Sequence, residues 1–240
     1  MNFPVGKFFA QFFAALPELF PLFALAWVFT FVFFIVSVMF LKKHIHPHVL
    51  RADAKIRAWA RTLRYEDTHA TGPHAIERHA RTYFFRFWTN FASAPSLIFQ
   101  SIALAIWATG NTDNPRLYYL PGLSYAGSML LSFVSKRVFR RARPIREEGA
   151  FGHKLKDGSF PSGHSLTCFA FWFMIAVNAV VAHAGAPWIG GLFIAATLIV
   201  AFTGLSRIYL GVHFPSDVLG GYSIGLIWCV ACYFALHPVL

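Results

Sequence analysis

Hydrophobic positions along the chain form long continuous runs rather than short alternating stretches. Six runs of about 20 residues stand out, at about 19–41, 89–108, 117–135, 165–184, 188–206 and 217–236. A helix of about 20 apolar residues is long enough to cross the hydrocarbon core of a bilayer. The pattern predicts an all-α integral membrane protein, a bundle of six transmembrane helices in which residues 1–240 form one domain.

The residues ahead of the first run predict a short N-terminal interfacial helix. Phe8, Phe9, Phe12 and Phe13 recur at helical spacing, as in helices that lie in the headgroup zone. The first apolar run is too long for the core of a signal peptide. We therefore expect it to remain as a membrane span.

Three polar segments separate the predicted spans, at 42–88, 136–164 and 206–216. Counting spans places all three on one side of the membrane, where we expect the functional site. The longest, 42–88, is predicted as a polar loop. Within it, the stretch 51–64 interleaves basic with apolar residues and predicts a basic amphipathic helix that lies on the membrane and gathers anionic lipid.

Composition narrows the choice of partner. Apolar residues make up 57% of the chain and charged residues only 13%, yet the net charge is +11. A soluble domain carries about twice that charged fraction, so a soluble fold, a disordered chain and a disulfide scaffold are excluded. The cationic segments indicate an anionic partner, either a lipid surface or a phosphate-bearing substrate. They border membrane spans and contain no base-stacking module, so nucleic acid is not the expected partner.

Cations and one helix start lie at the boundaries of these spans. Lys136 and Arg143 are seven residues apart after the third span, and share a helix face if the helix continues that far. Arg207 ends the fifth span, and Ser162 and Gly163 precede the fourth. Free backbone N–H groups at a helix start bind anions. Each cation alone is more often an anchor at the membrane interface, but together these groups predict a phosphate site.

Two histidines accompany these groups. His213 and Asp217 are four apart, so the carboxylate can accept from one imidazole nitrogen and leave the other free to attack. His164, at the start of the fourth span, is the second histidine, a general acid for a leaving alcohol. No acidic metal cage accompanies them. The pattern predicts phosphoryl transfer through a phosphohistidine, with neither a metal nor another cofactor.

The spacing of these residues resembles the type 2 phosphatidic acid phosphatase superfamily, which includes lipid phosphate phosphatases. The resemblance rests on three motifs in order, Lys136-x6-Arg143-Pro144, Pro161-Ser162-Gly163-His164 and Ser206-Arg207-x5-His213-x3-Asp217. It covers roughly 135–220 by motif and the whole chain by its layout of six spans.

The resemblance implies a role for each matching position. His213 is the implied nucleophile, Asp217 its orienting partner and His164 the acid that protonates the leaving group. The implied phosphate clamp comprises Lys136, Arg143, Ser162, the Gly163 amide and Arg207. The residues alone favour His213 over His164 as the attacking group only through Asp217.

Three alternatives stay open. A lipid phosphotransferase would use the same site with an alcohol as acceptor, and an anion or lipid transporter would use the same cations without a nucleophile. A zinc site is conceivable among His44, His46, His48, His69, His74 and His79. Pro47 interrupts that run and no cysteine or paired acid completes a ligand set, which favours a solvated loop near anionic headgroups.

The sequence leaves the substrate and the oligomeric state open. Phosphatidylglycerophosphate, phosphatidic acid, undecaprenyl diphosphate and a lipid A phosphate are all candidate substrates. Two criteria disagree about which side of the membrane the site faces. All Lys and Arg except Lys7 and Arg116 fall on the active-site side. The positive-inside rule would make that side cytoplasmic, whereas the resemblance implies a site that faces the periplasm of a bacterial inner membrane. We adopt the second expectation, because part of the charge binds substrate.

Overall fold

The computed structural model describes residues 4–68, 75–112, 114–144 and 157–236, and these residues form helices and connecting turns with no β-strand. In chain order the helices are α1 (Pro4–Thr68), α2 (Ala75–Phe91), α3 (Ala94–Asn111), a short 3₁₀ helix (Pro115–Tyr119), α4 (Leu120–Phe139), α5 (Gly163–Val181), α6 (Ala186–Tyr209) and α7 (Pro215–Leu236). The all-α architecture is confirmed.

Four helical segments are long and apolar enough to cross a membrane. They are Pro17–Met39 in α1, Gly163–Val181, Ala186–Tyr209 and Pro215–Ala235. Large apolar side chains such as Phe20, Trp188 and Phe234 are exposed on them, as expected for surfaces that face lipid rather than water. The chain is therefore an integral membrane protein.

The predicted count of six spans is not confirmed. The predicted span 89–108 is divided between α2 and α3, which meet at an angle of 54° and could count together as a fifth span. Pro95 lies in the first turn of α3, and α2 ends four residues before it. The break occurs because proline has no backbone N–H to donate to the carbonyl of Phe91 and its ring clashes with that carbonyl in a continuous helix. Helix α4 lies at the predicted position of 117–135, but its buried face carries Ser124, Ser128 and Ser132, which lowers its hydropathy.

Helix α1 corrects two predictions about the N-terminal part of the chain. The expected interfacial helix is not separate, because α1 begins at Pro4 and continues directly into the first span. The segment 42–88 is not a loop either, since α1 continues to Thr68 and α2 begins at Ala75. The basic residues follow a helical period, and one face of this extension packs on the protein through Asp53, Ala60 and Arg64, which are buried.

The stretch 51–64 is helical, as predicted, but as the continuation of α1. Its outer face exposes Trp59 and Ile56, together with Lys55 and Arg61. A role for this face in gathering anionic lipid stays a prediction.

Helix α5 occupies the middle of the bundle, in contact with α4, α6 and α7. Small residues let α7 approach it closely. A Cβ atom at Gly221 would lie 2.9 Å from the backbone oxygen of Ser162, and one at Gly225 would lie 3.1 Å from Phe169. The G-x-x-x-G spacing therefore packs the start of α7 against the start of α5, which brings together the ends that carry the predicted catalytic residues.

Candidate active site

The start of α7 holds the pair formed by His213 and Asp217. Asp217 is the third residue of α7, and its Oδ2 accepts the backbone N–H of Phe214 at 2.9 Å, as an acidic residue in the first helical turn commonly does. The same oxygen lies 3.4 Å from Nδ1 of His213. Side-chain exposure is 2% for His213 and 0% for Asp217, so water does not compete for this contact.

His213 lies in an environment that opposes a positive charge on its ring. Burial lowers the pKa of His213 well below its ordinary value of 6.5, and the positive charges of Arg207, Arg143 and Lys136 lower it further. The ring is therefore neutral at neutral pH. A neutral imidazole whose Nδ1–H points to Asp217 keeps a lone pair on Nε2, and Nε2 lies 3.2 Å from Nη1 of Arg143.

Lys136 and Arg143 converge, but not by the geometry that their spacing suggested. Helix α4 ends at Phe139, where Arg140 adopts a left-handed backbone conformation with φ of 47°. The helix does not continue to Arg143, so the condition under which the two residues would share a helix face is not met. Arg143 reaches the site from the following loop, and its Nη1 donates to the backbone oxygen of Val212 at 3.1 Å.

Asp157 joins these two cations. Nζ of Lys136 donates to Oδ2 of Asp157 at 2.5 Å, and Nη2 of Arg143 donates to Oδ1 at 2.8 Å. Burial alone would raise the pKa of Asp157, but the hydrogen bonds and positive charges of Lys136 and Arg143 together lower it. The carboxylate is ionised at neutral pH, and each of its oxygens accepts from a different cation.

Arg207 supplies a third cation from the end of α6. Its side chain is buried, and Nη1 donates to Oγ1 of Thr89 on α2. Its Nε has no hydrogen-bond partner among the described residues. A buried guanidinium that keeps a free donor is suited to bind an anion.

The start of α5 faces these cations. A Cβ atom at Gly163 would lie 3.1 Å from Oγ of Ser132 and 3.8 Å from Nζ of Lys136, so a glycine here brings the helix start close to the ammonium group. The backbone N–H of Ser162 donates to the backbone oxygen of Asp217 at 2.9 Å, which fixes the start of α5 to the start of α7.

A cavity of about 540 Å³ opens beside this helix start. Lys136, Asp157, Gly163 and His164 line its polar end, and the apolar part lies between α3, α4 and α5. His164 also lies within electrostatic reach of Arg207 and His213. The structure therefore brings all the predicted site residues to one end of the bundle, and the cavity can hold a group that is polar at one end and apolar at the other.

Sequence reasoning missed four residues of this site. Asp157 and Thr89 contact the predicted cations directly, and Asp53 and Arg141 lie behind Asp217. From its position beside a span, Arg141 is expected to be either a membrane anchor or a charge behind the phosphate site, and its contacts with Asp217 and Asp53 fit the second alternative. Asp53 could have been noticed as one of four acidic residues among the ten Lys and Arg of 42–86, but nothing in the sequence shows that it is buried.

Among the described residues, no group of three His, Cys, Asp or Glu side chains is placed to hold a metal ion. The histidines considered as zinc ligands, for which the sequence favours a solvated loop, are largely outside this part of the chain. His69 and His74 are not described, nor are the side chains of His44, His46 and His79. The sequence-based interpretation of the histidine-rich segment, a solvated loop rather than a zinc site, therefore stays a prediction.

Comparison with known proteins gives a family. The family model described as PAP2 superfamily matches residues 117–238, about half of the chain. That interval contains α4 to α7 and every residue of the predicted phosphate site.

Three curated relatives share this region. Phosphatidylglycerophosphatase B of Bacillus subtilis (strain 168) is 37% identical over 113 residues, 44% of this chain and 51% of the relative. Undecaprenyl-diphosphatase BcrC of the same organism is 29% identical over 133 residues, 52% of this chain and 61% of the relative. A lipid A 1-phosphatase of Rhizobium johnstonii is 36% identical over 106 residues, 41% of this chain and 39% of the relative. The matches thus span between two fifths and three fifths of these relatives.

A solved structure resembles the chain over more of its length. The crystal structure of a transmembrane PAP2 type phosphatidylglycerolphosphate phosphatase from Bacillus subtilis covers 89% of this chain and 97% of its own, with a TM-score of 0.66 and 25% sequence identity. The similarity in fold therefore includes the helices before residue 117.

Proposed function

This chain belongs to the PAP2 superfamily, and from that we propose that it hydrolyses a lipid-linked phosphate monoester or diphosphate through a phosphohistidine. One observation carries the proposal: Nε2 of the neutral, buried His213 lies 3.2 Å from Arg143, while Nδ1 faces Asp217. The nucleophile thus points toward the cations suited to bind the substrate phosphate. The relatives named as lipid phosphatases support it.

In the first step, the phosphoryl group is held by Lys136, Arg143 and Arg207 and by the backbone N–H groups at the start of α5. The lone pair of His213 Nε2 forms the N–P bond, and the bond from phosphorus to the leaving oxygen breaks. The imidazole becomes positively charged, and Asp217 stabilises it through Nδ1–H. The negative charge of the bound phosphate favours a proton on His164, and His164 gives that proton to the leaving oxygen.

In the second step, water replaces the lipid. His164, now neutral, takes a proton from the water, whose oxygen attacks phosphorus as the N–P bond breaks. The lone pair returns to Nε2 of His213, and inorganic phosphate leaves. The cations neutralise the charge of the transferred group in both steps, so the proposal requires no metal.

The cavity suggests how a lipid is held. Lys136 and His164 line its polar end, and its apolar part lies between α3, α4 and α5. The scissile phosphate would lie at headgroup level while the tail stays in the bilayer. We place this end of the bundle on the extracytoplasmic side. The candidate substrates are phosphatidylglycerophosphate, phosphatidic acid, undecaprenyl diphosphate and a lipid A phosphate.

The test is phosphate release from this panel by purified protein in detergent with EDTA present. We expect release from at least one lipid, inhibition by vanadate, and a loss of more than roughly 1,000-fold in His213→Gln, because the covalent route needs that nitrogen. Full activity in His213→Gln would exclude the mechanism.

His164→Ala separates the acid from the nucleophile. We expect a loss of about 10²- to 10⁴-fold with a lipid substrate, and a much smaller loss with p-nitrophenyl phosphate, whose leaving group needs no proton. Equal losses on both substrates would argue against the role of His164 as the acid.

The same panel tests the alternatives. Transfer of phosphate to an added acceptor lipid rather than to water would identify a phosphotransferase. Movement of lipid or anion across proteoliposomes without hydrolysis would identify a transporter.

A further inference from the structure

Arg141 joins two buried carboxylates from distant parts of the chain. Its Nη1 donates to Oδ1 of Asp217 at 2.7 Å, and its Nη2 donates to Oδ2 of Asp53 at 2.8 Å. The side chains of Asp53 and Asp217 are 4% and 0% exposed. A buried carboxylate needs a cation beside it to offset its lost hydration, and Arg141 is the cation that both of these carboxylates contact.

Asp53 also fixes the start of α7. Its Oδ1 accepts the backbone N–H of Ser216 at 2.9 Å, and its Oδ2 accepts the Ser216 hydroxyl at 2.6 Å. Ser216 is the second residue of α7 and its own N–H has no partner within the helix. A carboxylate from α1 therefore caps the helix that carries Asp217, at the end where the helix dipole favours negative charge.

The contacts of Arg141 distinguish it from the phosphate clamp. Its terminal nitrogens donate to Asp53, Asp217 and Ser216, and its guanidinium lies 4.2 Å from the centre of the Phe214 ring. Lys136 and Arg143, by contrast, form their ion pairs with Asp157 among the described carboxylates, and Nη1 of Arg143 lies 3.2 Å from Nε2 of His213. Arg141 is thus directed to the rear of Asp217, the side remote from His213.

We infer that Asp53 and Arg141 are positioning residues for the nucleophile, through the sequence of contacts Asp53–Arg141–Asp217–His213. The inference rests on the proposed function, since it concerns the step in which Asp217 stabilises a charged His213. Through Asp53, the part of α1 beyond the membrane span would thus support catalysis.

Two variants of Arg141 test this arrangement. Arg141→Gln removes the cation, and we expect kcat to fall about 10- to 100-fold, a range typical of residues that support a catalytic partner. KM should stay within about twofold because Arg141 does not contact the phosphate. Arg141→Lys should recover part of kcat, since it returns a positive charge beside Asp217 but cannot reach both carboxylates.

Asp53→Asn tests the other end of this sequence of contacts. The substituted amide can still accept from Ser216 but carries no charge, so we expect a smaller fall in kcat than in Arg141→Gln. The double variant should be no slower than Arg141→Gln alone, because residues that act in one network are not additive. Ala54→Asn, on the exposed face of the same helix, is the matched control and should retain kcat.

The measurements are steady-state kinetics on the best lipid of the panel and thermal unfolding in detergent. Any of three results would overturn the inference: Arg141→Gln keeps kcat within about threefold, the loss appears in KM, or Arg141→Lys is as slow as Arg141→Gln in protein that unfolds at the wild-type temperature. An inactive wild type would instead contradict the proposed function, and non-additive unfolding temperatures of the Asp53 and Arg141 variants would still report the contact itself.

Discussion

Asp157 places a carboxylate between Lys136 and Arg143, two of the cations that the proposed mechanism assigns to the substrate phosphate. The two oxygens of Asp157 accept from these cations at 2.5 and 2.8 Å, as two oxygens of a phosphoryl group would. The side chain is 47% exposed and can leave when an anion of higher charge arrives. If the proposed mechanism holds, Asp157 therefore occupies the position of the substrate phosphate before the substrate binds.

Removing this charge should strengthen the binding of inorganic anions. In Asp157→Asn we expect vanadate to inhibit at about tenfold lower concentration, since a charged hydrogen bond is worth roughly 1.5 kcal/mol or more. The measurement is a vanadate titration of phosphate release, with Asp157→Glu as the control that keeps the charge. Unchanged or weaker inhibition in Asp157→Asn would show that the carboxylate does not compete.

The environment of His213 also predicts how the first step depends on pH. Because burial and three nearby cations lower the pKa of His213, the nucleophilic neutral form persists at pH values below 6.5, where an exposed histidine would be protonated. With p-nitrophenyl phosphate, which needs no acid, formation of the phosphoenzyme should keep a constant rate from about pH 8 to about pH 6. A rapid-quench measurement in which the rate halves near the ordinary histidine pKa of about 6.5 would contradict this.

At the scale of elements, the site depends on how closely α5 and α7 approach. A Cβ atom at Gly221 would meet backbone atoms of Ser162 and Leu166 at 2.9 and 3.1 Å, and backbone cannot yield as a flexible side chain can. Gly221→Ala should therefore push the start of α5 away from the cations and destabilise the fold by about 1–3 kcal/mol.

The matched control is Gly190→Ala on α6, where a Cβ atom would meet nothing within 4 Å. Thermal unfolding and kcat of both variants provide the measurement. We expect loss in Gly221→Ala only. Equal behaviour of the two variants would mean that the contact between α5 and α7 tolerates an extra methyl group.

The elements also show what the sequence could and could not predict. Long apolar runs predict α1, α5, α6 and α7, because a helix that faces lipid must be apolar on its outer surface. The polar stretch after Met39 is predicted as a loop because that rule stops at the membrane surface. Beyond it, the amphipathic pattern of 51–64 predicts a helix, but it does not predict that this helix continues α1 or that it packs on the bundle through Asp53, Ala60 and Arg64.

The positions of the candidate site residues could be predicted for a different reason. Lys136, Arg143, His164, Arg207, His213 and Asp217 have fixed spacings because each is held at or near the end of a helix. Asp53 and Asp157 meet the site only through the tertiary fold, Asp53 from 163 residues before Ser216 and Asp157 from 14 residues after Arg143. Spacing cannot report such contacts.

At the scale of the whole molecule, the distribution of basic residues bears on which side of the membrane the site faces. The basic residues are gathered at the active-site end, and part of that charge is committed, with Lys136 and Arg143 on Asp157 and Arg141 on two carboxylates. Charge held in this way is a poor guide to orientation. We therefore expect the site to be extracytoplasmic, against the simple count of Lys and Arg.

Single cysteines at the two ends of the bundle test the orientation. All three native cysteines are buried, so they give little background with a membrane-impermeant maleimide. We expect Lys55→Cys, at the active-site end, to be labelled in intact cells and Gly185→Cys, in the exposed turn between α5 and α6 at the other end, to be labelled only after lysis. The opposite pattern would place the site in the cytoplasm.

Helix α1 connects the site mechanically to the bilayer. Met39 ends its membrane-spanning part and Asp53 lies fourteen residues, or about 21 Å, further along the same helix. A span changes its tilt when the hydrocarbon thickness changes, and a tilt of α1 would displace Asp53 from Arg141 and from the start of α7.

Activity in vesicles should therefore depend on the acyl chain length of the host lipid. We expect an optimum at the bilayer thickness at which α1 holds Asp53 in contact with Arg141 and Ser216. Asp53→Asn should flatten that dependence, and Ala54→Asn should preserve it. Identical profiles in wild type and Asp53→Asn would show that no tilt reaches the site. If the two profiles differ as expected, the membrane has two effects on the reaction. It supplies the lipid substrate, and its thickness influences the rate of hydrolysis.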